Sequence, residues 1–183
     1  MRRSIPILWL FVAALVALPQ GGDAQGRPQT REGFFIGFGF GGGSMGCTDC
    51  VDREAAVTGH LKLGGSLSPQ LLLGVQSSAW TKEESGARLT HTNVSAVAQF
   101  HPVATAGLFF TGGVGFSTLE AEVPIAGVVL SDSQTGLGLT AGLGYDARVG
   151  TNFSVTPYGL FGWGDFETLD VNVFQLGLGV TWH

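Results

Sequence analysis

The sequence predicts an all-β chain, an eight-stranded antiparallel up-and-down transmembrane β-barrel. Three observations carry that prediction. The segment Asp170–His183 alternates strictly from Phe174: Phe174, Leu176, Leu178, Val180 and Trp182 fall on one face, and Gln175, Gly177, Gly179, Thr181 and His183 on the other. That period of two is a strand whose faces meet different surroundings. Charged residues make up only 13% of the chain, against about 25% in soluble domains, while 44% is hydrophobic. Beyond the first 20 residues, Gly, Ser or Thr interrupts every apolar run before it reaches the ~20 residues of a spanning helix. A chain short of solubilising charge and without a spanning helix can still cross lipid as a closed barrel.

The chain opens with targeting signals. Arg2 and Arg3 precede an apolar stretch from Ile5 to Leu18, and Gly22-Asp23-Ala24 offers small residues for cleavage before Gln25. Residues 1–24 are therefore expected to be a secretory signal peptide, residues 25–32 a short periplasmic leader, and residues 33–183 the barrel domain. The net charge of −5 does not suggest nucleic-acid binding, and no nucleic-acid partner is expected. Export also frames Cys47-Thr-Asp-Cys50: in an oxidising compartment this pair is expected to be a local disulfide. Two cysteines with no histidine near them in sequence are too few for a zinc site, and no cofactor is expected.

The strands follow in order. Phe34, Ile36, Phe38 and Phe40 alternate with glycines in the first, which ends near Ser44. The second runs over about 55–67 and sets Val57, Leu61 and Leu63 against Thr58, His60 and Lys62. The third, from Leu71, leaves its phase open because Leu71, Leu72 and Leu73 are consecutive. Glu83–Leu89 is expected as a charged loop. The fourth puts Val94, Ala96, Ala98 and Phe100 opposite Asn93, Ser95 and Gln99. The fifth spans Gly107–Thr118, and a longer loop is expected over Leu119–Gln134, although Val-Val-Leu at 128–130 could extend a strand. The sixth, Thr135–Asp146, alternates most cleanly. The seventh, Phe153–Gly164, contains Pro157, which would cost a central strand a ladder bond and leaves a bulge open. Asp170–His183 closes the chain, pairing with the first strand to remove the last free edge.

Charge placement separates lipid from water outside. Lys62, Asp146, His60 and Gln99 all fall on the small, polar face, whereas a charge facing lipid near the midplane would cost about 2–4 kcal/mol. An eight-stranded barrel is just wide enough for side chains to fill, so a filled lumen is expected, with Phe35 and Phe109 inside. Lys62 and Asp146 are either an internal ion pair or each hydrated near the periplasmic end. The outer loops collect acids, and their spacing matches no calcium loop.

The signal peptide, the eight alternating segments and the ending Phe174-Gln-Leu-Gly-Leu-Gly-Val-Thr-Trp-His183 resemble the small Gram-negative outer-membrane β-barrels of the OmpX, OmpA-barrel and OmpW type. That resemblance implies an outer-membrane monomer with periplasmic termini, in contact with outer-membrane lipid and lipopolysaccharide. It also implies a C-terminal strand (Phe174, Leu176, Leu178, Val180, Trp182) presented to the barrel-assembly machinery. One departure stands out: Trp182 is penultimate, and His183 follows it. The expected function is non-enzymatic, in envelope structure or surface interaction. Two alternatives are a passage for small hydrophobic molecules and a lipid A-modifying acyl hydrolase or transferase. The last needs a nucleophile beside a base. The candidates are His60 with a lumenal serine, or His91 with Ser95, which on one strand lie ~13 Å apart, too far for a dyad unaided.

Overall fold

The computed structural model describes residues 31–48, 50–125, 128–167 and 169–183. The expected signal peptide, most of the leader, and Asp49 lie outside the described residues. The described residues contain no helix. They form nine strands: β1 (Phe34–Cys47), β2 (Glu54–Ser68), β3 (Leu71–Glu84), β4 (Ala87–Phe100), β5 (Leu108–Ile125), β6 (Val128–Tyr145), β7 (Ala147–Arg148), β8 (Phe153–Asp165) and β9 (Asp170–Trp182). Each pairs antiparallel with its neighbours, β1 with β9 and β6 with β8, so the sheet closes on itself. Eight strands are long. The two-residue β7 continues β6 along β8 in the same register.

The interruption has a cause. The β6–β8 ladder stops at Gly144↔Tyr158 and resumes at Ala147↔Val155. Tyr145 falls opposite Pro157, which has no N–H to give. The proline therefore produces a two-residue gap and no bulge.

The register also fixes the barrel's shear. Starting from Gly37, the ladder runs through Lys62, Gln76, Ser95, Gly115, Gly138, Gly164 and Val171, and returns to β1 at Cys47, ten residues on. A shear larger than the strand number demands steeply tilted strands, about 40–45° from the axis. Tilted, coiled strands approach one another closely at small residues. At Gly41 a Cβ would lie 2.0 Å from the Leu176 carbonyl oxygen, so the β1–β9 seam closes only because no side chain stands there.

The faces divide as the alternation predicts. Phe40, Phe116 and Leu176 are each at least 70% exposed on the outer wall. Such residues ring the barrel in an apolar band that no water-facing surface would carry at this size. The closing strand pairs Ser44↔Phe174 through Ile36↔Trp182. The open phase of the third strand resolves with Leu72, Gln76, Ser78 and Trp80 inside.

Two expected loops are corrected. Glu83–Leu89 is a hairpin with only Ser85 and Gly86 in the turn, both at positive φ (53° and 85°), the two-residue geometry that suits strand twist. In the other, residues 119–125 and 128–134 are strand: β5 and β6 stay paired up to Ile125↔Val128. Glu120 and Glu122 alternate with Ala121 and Val123, a pattern that needs no lipid-facing band because it stands above it.

Candidate functional site

The lumen is closed at both ends, by different residues. At the end where β1 begins and β9 finishes, Lys62 Nζ donates to Gln99 Oε1 at 3.1 Å, and Gln99 Nε2 lies 2.9 Å from His101 Nε2. Lys62 also stands 4.6 Å above the Phe109 ring, a cation–π contact in a shielded site. Asp146 accepts from Thr156 Oγ1 at 2.7 Å, and Thr156 lies 3.2 Å from Thr181. The His183 ring reaches to 3.7 Å from Asp146. Lys62, Gln99 and Asp146 are all buried. Lys62 and Asp146 thus sit in the same enclosure: the Gln99 amide oxygen accepts from the ammonium, the Thr156 hydroxyl donates to the carboxylate, and the His183 ring stands near it. Phe35 and Phe109 are buried beside them.

His60 lies higher in the lumen. Its ring meets Tyr158 edge-on at 4.3 Å.

Toward the loop end, Asn93, Ser95 and Thr140 make one hydrogen-bonded group: Ser95 Oγ donates to Asn93 Oδ1 at 2.6 Å, and Thr140 Oγ1 donates to the same oxygen at 3.2 Å. Above it His91 Nε2 lies 2.7 Å from Ser117 Oγ. This is a serine–histidine pair, formed with a serine on the neighbouring strand that single-strand spacing could not reveal. Both residues are almost fully buried, and Phe166 packs edge-on to the imidazole at 6.3 Å. The hydroxyl faces the lumen, away from the lipid-facing wall where an acyl chain would arrive.

An apolar plug covers this pair. Trp80, Phe166, Val171 and Val173 form a buried cluster, with Met45, Cys47 and Leu89 packed against it. Phe166 comes from the β8–β9 loop, folded inward by the Phe166 N–H to Leu169 carbonyl hydrogen bond at 3.1 Å. Over the plug opens a recess of about 300 Å³, lined by Trp80, Leu89, Glu54, Lys82, Glu84 and Arg88 among others. Its charges pair with each other. Lys82 bridges Glu54 and Glu84, the latter at 2.9 Å. This bridge raises the Lys82 ammonium above its ordinary range and lowers the Glu84 carboxyl, chiefly through the hydrogen bonds between them. Arg88 joins Glu83 (3.3 Å) to Glu122 (3.5 Å) on the adjacent strands.

Cys47 and Cys50 form a disulfide. It ends β1 beside the plug, and the Thr48 N–H donates to the Asp170 carbonyl across the closing seam. Arg53, from the same loop, donates to the Ser44 hydroxyl and to the Asn172 side chain, and lies 5.0 Å from the Phe174 ring. The loop thus clasps the outer end of the β1–β9 seam. The sequence shows Arg53 as a base among the acids of this loop, but not the seam it clasps. Among the described residues no group of three metal-ligating side chains converges.

No protein-family model matches the chain, and no curated protein sequence matches it. Solved structures do. Ail, the attachment invasion locus protein of Yersinia pestis, is similar at 19% identity and TM-score 0.61, over 84% of this chain and 100% of Ail. Neisserial surface protein A is similar at 18% identity and TM-score 0.59, over 84% of this chain and 99% of its own. OprG of Pseudomonas aeruginosa, an outer membrane protein, is similar at 13% identity and TM-score 0.51, over 84% and 97%. The chain has the fold of the small eight-stranded outer-membrane barrels of Gram-negative bacteria.

Proposed function

We propose that this protein is a non-enzymatic outer-membrane barrel that acts at the cell surface through its β5–β6 hairpin, with its termini in the periplasm. The observation that carries this reading is the hairpin's height. β6 leaves β8 at Leu137↔Asp165, yet β5 and β6 remain paired for a further stretch to Ile125↔Val128. That ribbon ends in exposed Val123, Val129 and Leu130. Strand that rises past the barrel wall adds nothing to crossing the membrane, but it offers apolar side chains and free backbone groups to a partner. The closure of the lumen at both ends argues in the same direction, because it leaves the outside of the molecule as the place of action. One structural neighbour is named a surface protein and another an attachment invasion locus protein.

The partner's chemistry follows from charge. Ail has been solved with the heparin analogue sucrose octasulfate. Here Glu54, Glu84 and Glu122 crowd the rim, and Lys82 and Arg88 are already paired with them, so a polyanion would be repelled. A protein surface with apolar and basic groups fits better. The test replaces residues 122–131 with an Asn-Gly turn between Ala121 and Asp132. Cells carrying the shortened barrel should lose adhesion to serum-protein-coated surfaces while keeping the heat-modifiable band of a folded barrel. Unchanged adhesion would overturn the proposal. Planar-bilayer traces of the intact protein should stay flat; regular conductance steps would favour a passage instead.

A further inference from the structure

At the end where the chain enters β1, Gly33 has φ of 81°, a backbone state that residues with a Cβ rarely adopt. It turns residues 31–33 off the strand direction, and its carbonyl accepts from the Ser66 N–H at 2.8 Å. Arg31 is thereby laid over the barrel mouth. Its guanidinium donates to the carbonyls of Ala104 (3.0 Å) and Ala106 (2.7 Å). Both belong to the β4–β5 turn, on the far side of the strand circuit from β1. Arg31 is 1% exposed. One side chain therefore straps the mouth from one wall to the opposite one.

Behind the strap the interior is polar and incompletely paired. His60 Nδ1, Gln76 Nε2, Thr111 Oγ1 and Gln175 Oε1 are buried and have no hydrogen-bond partner among the described residues. They come from four strands, β2, β3, β5 and β9. Gln76 stands opposite Lys62, and Thr111 opposite Gln99. Buried polar groups are nearly always satisfied, by ordered water where protein does not reach. The apolar plug of Trp80, Phe166, Val171 and Val173 offers water no path from the loop end.

We propose that the polar lumen between Arg31 and the apolar plug is a water-holding chamber that fills from the terminal end, and that Arg31, turned by Gly33, is the latch on its mouth. Because the latch grips backbone carbonyls, it can let go without leaving a charged side chain unpaired on the turn. The test places a single free thiol in the chamber by Thr111→Cys, with Gln76→Cys as a second probe, and leaves the native disulfide intact. The thiol is challenged with a small cationic methanethiosulfonate in detergent. Labelling should be slow with Arg31 present and at least tenfold faster in both Arg31→Ala and Arg31→Gln. Equal rates with and without Arg31, at either probe, would overturn the latch. So would loss of the heat-modifiable folded form in both Arg31 variants, since a latch that opens must be dispensable to the barrel.

Discussion

At the loop end, Trp80, Phe166, Val171 and Val173 close the lumen by apolar burial. At the terminal end, Arg31, Lys62, Gln99 and Asp146 close it with hydrogen bonds and charge. Apolar packing is lost only when the side chains separate and water enters between them. Hydrogen bonds to carbonyls and amides exchange with water at little net cost, because each lost bond is replaced. One end is therefore part of the barrel's stability. The other is a closure that can open without unfolding it. The His91–Ser117 pair lies on the permanent side of this division, beneath the plug.

The largest effect should come from breaking the permanent end. Trp80 is fully buried at the centre of the plug, and Trp80→Ala should cost about 3–5 kcal/mol in denaturant unfolding of the detergent-folded protein. Unfolding unchanged within 1 kcal/mol, a bound set by the usual spread of surface substitutions at roughly 0.5 kcal/mol, would mean the loop-end cluster does not support the barrel. Arg31→Ala should cost less. It removes two charge-assisted hydrogen bonds, each worth about 1.5–3 kcal/mol at most, but water replaces them at an open mouth. A loss of about 1–2 kcal/mol is expected by the same reasoning. A cost equal to that of Trp80→Ala would erase the distinction between the two ends.

How much of this was legible in the sequence depends on which surroundings enforced a pattern. Inside the lipid band, large apolar residues had to alternate with small ones, so Phe174 to Trp182 and Leu137 to Tyr145 show their faces directly. Above the band no lipid enforces anything. Glu120-Ala-Glu-Val looked like loop although it is paired strand. The Ser85-Gly86 turn was hidden by the charges around it, though the dipeptide itself suits a tight hairpin. Cross-strand partners were not legible, because they depend on the shear. The sequence places His91 and Ser117 on inward faces, but only the register Asn93↔Ser117 brings them within reach. The latch was invisible for a similar reason: its acceptors are backbone carbonyls of Ala104 and Ala106, which carry no side-chain signal.

The smallest effect tests whether exposed charge at the rim belongs to the permanent closure. Lys82 sits over the plug and bridges Glu54 and Glu84, so proximity alone would include it. Its surroundings argue otherwise, since an ion pair in contact with water gains little and is screened by salt. The sign of its pH dependence is fixed. Glu84 has a lowered folded pKa because Lys82 donates to it. Whatever stability the bridge adds is present above the ordinary Glu range and lost as pH falls through the lowered value. Thermal melts of Lys82→Ala and the parent should therefore coincide in high salt at pH 7. At low salt, any gap between them should close on acidification below the ordinary Glu range. A gap that persists in high salt, or that widens in acid, would place the Lys82 bridge with Trp80 in the closure itself.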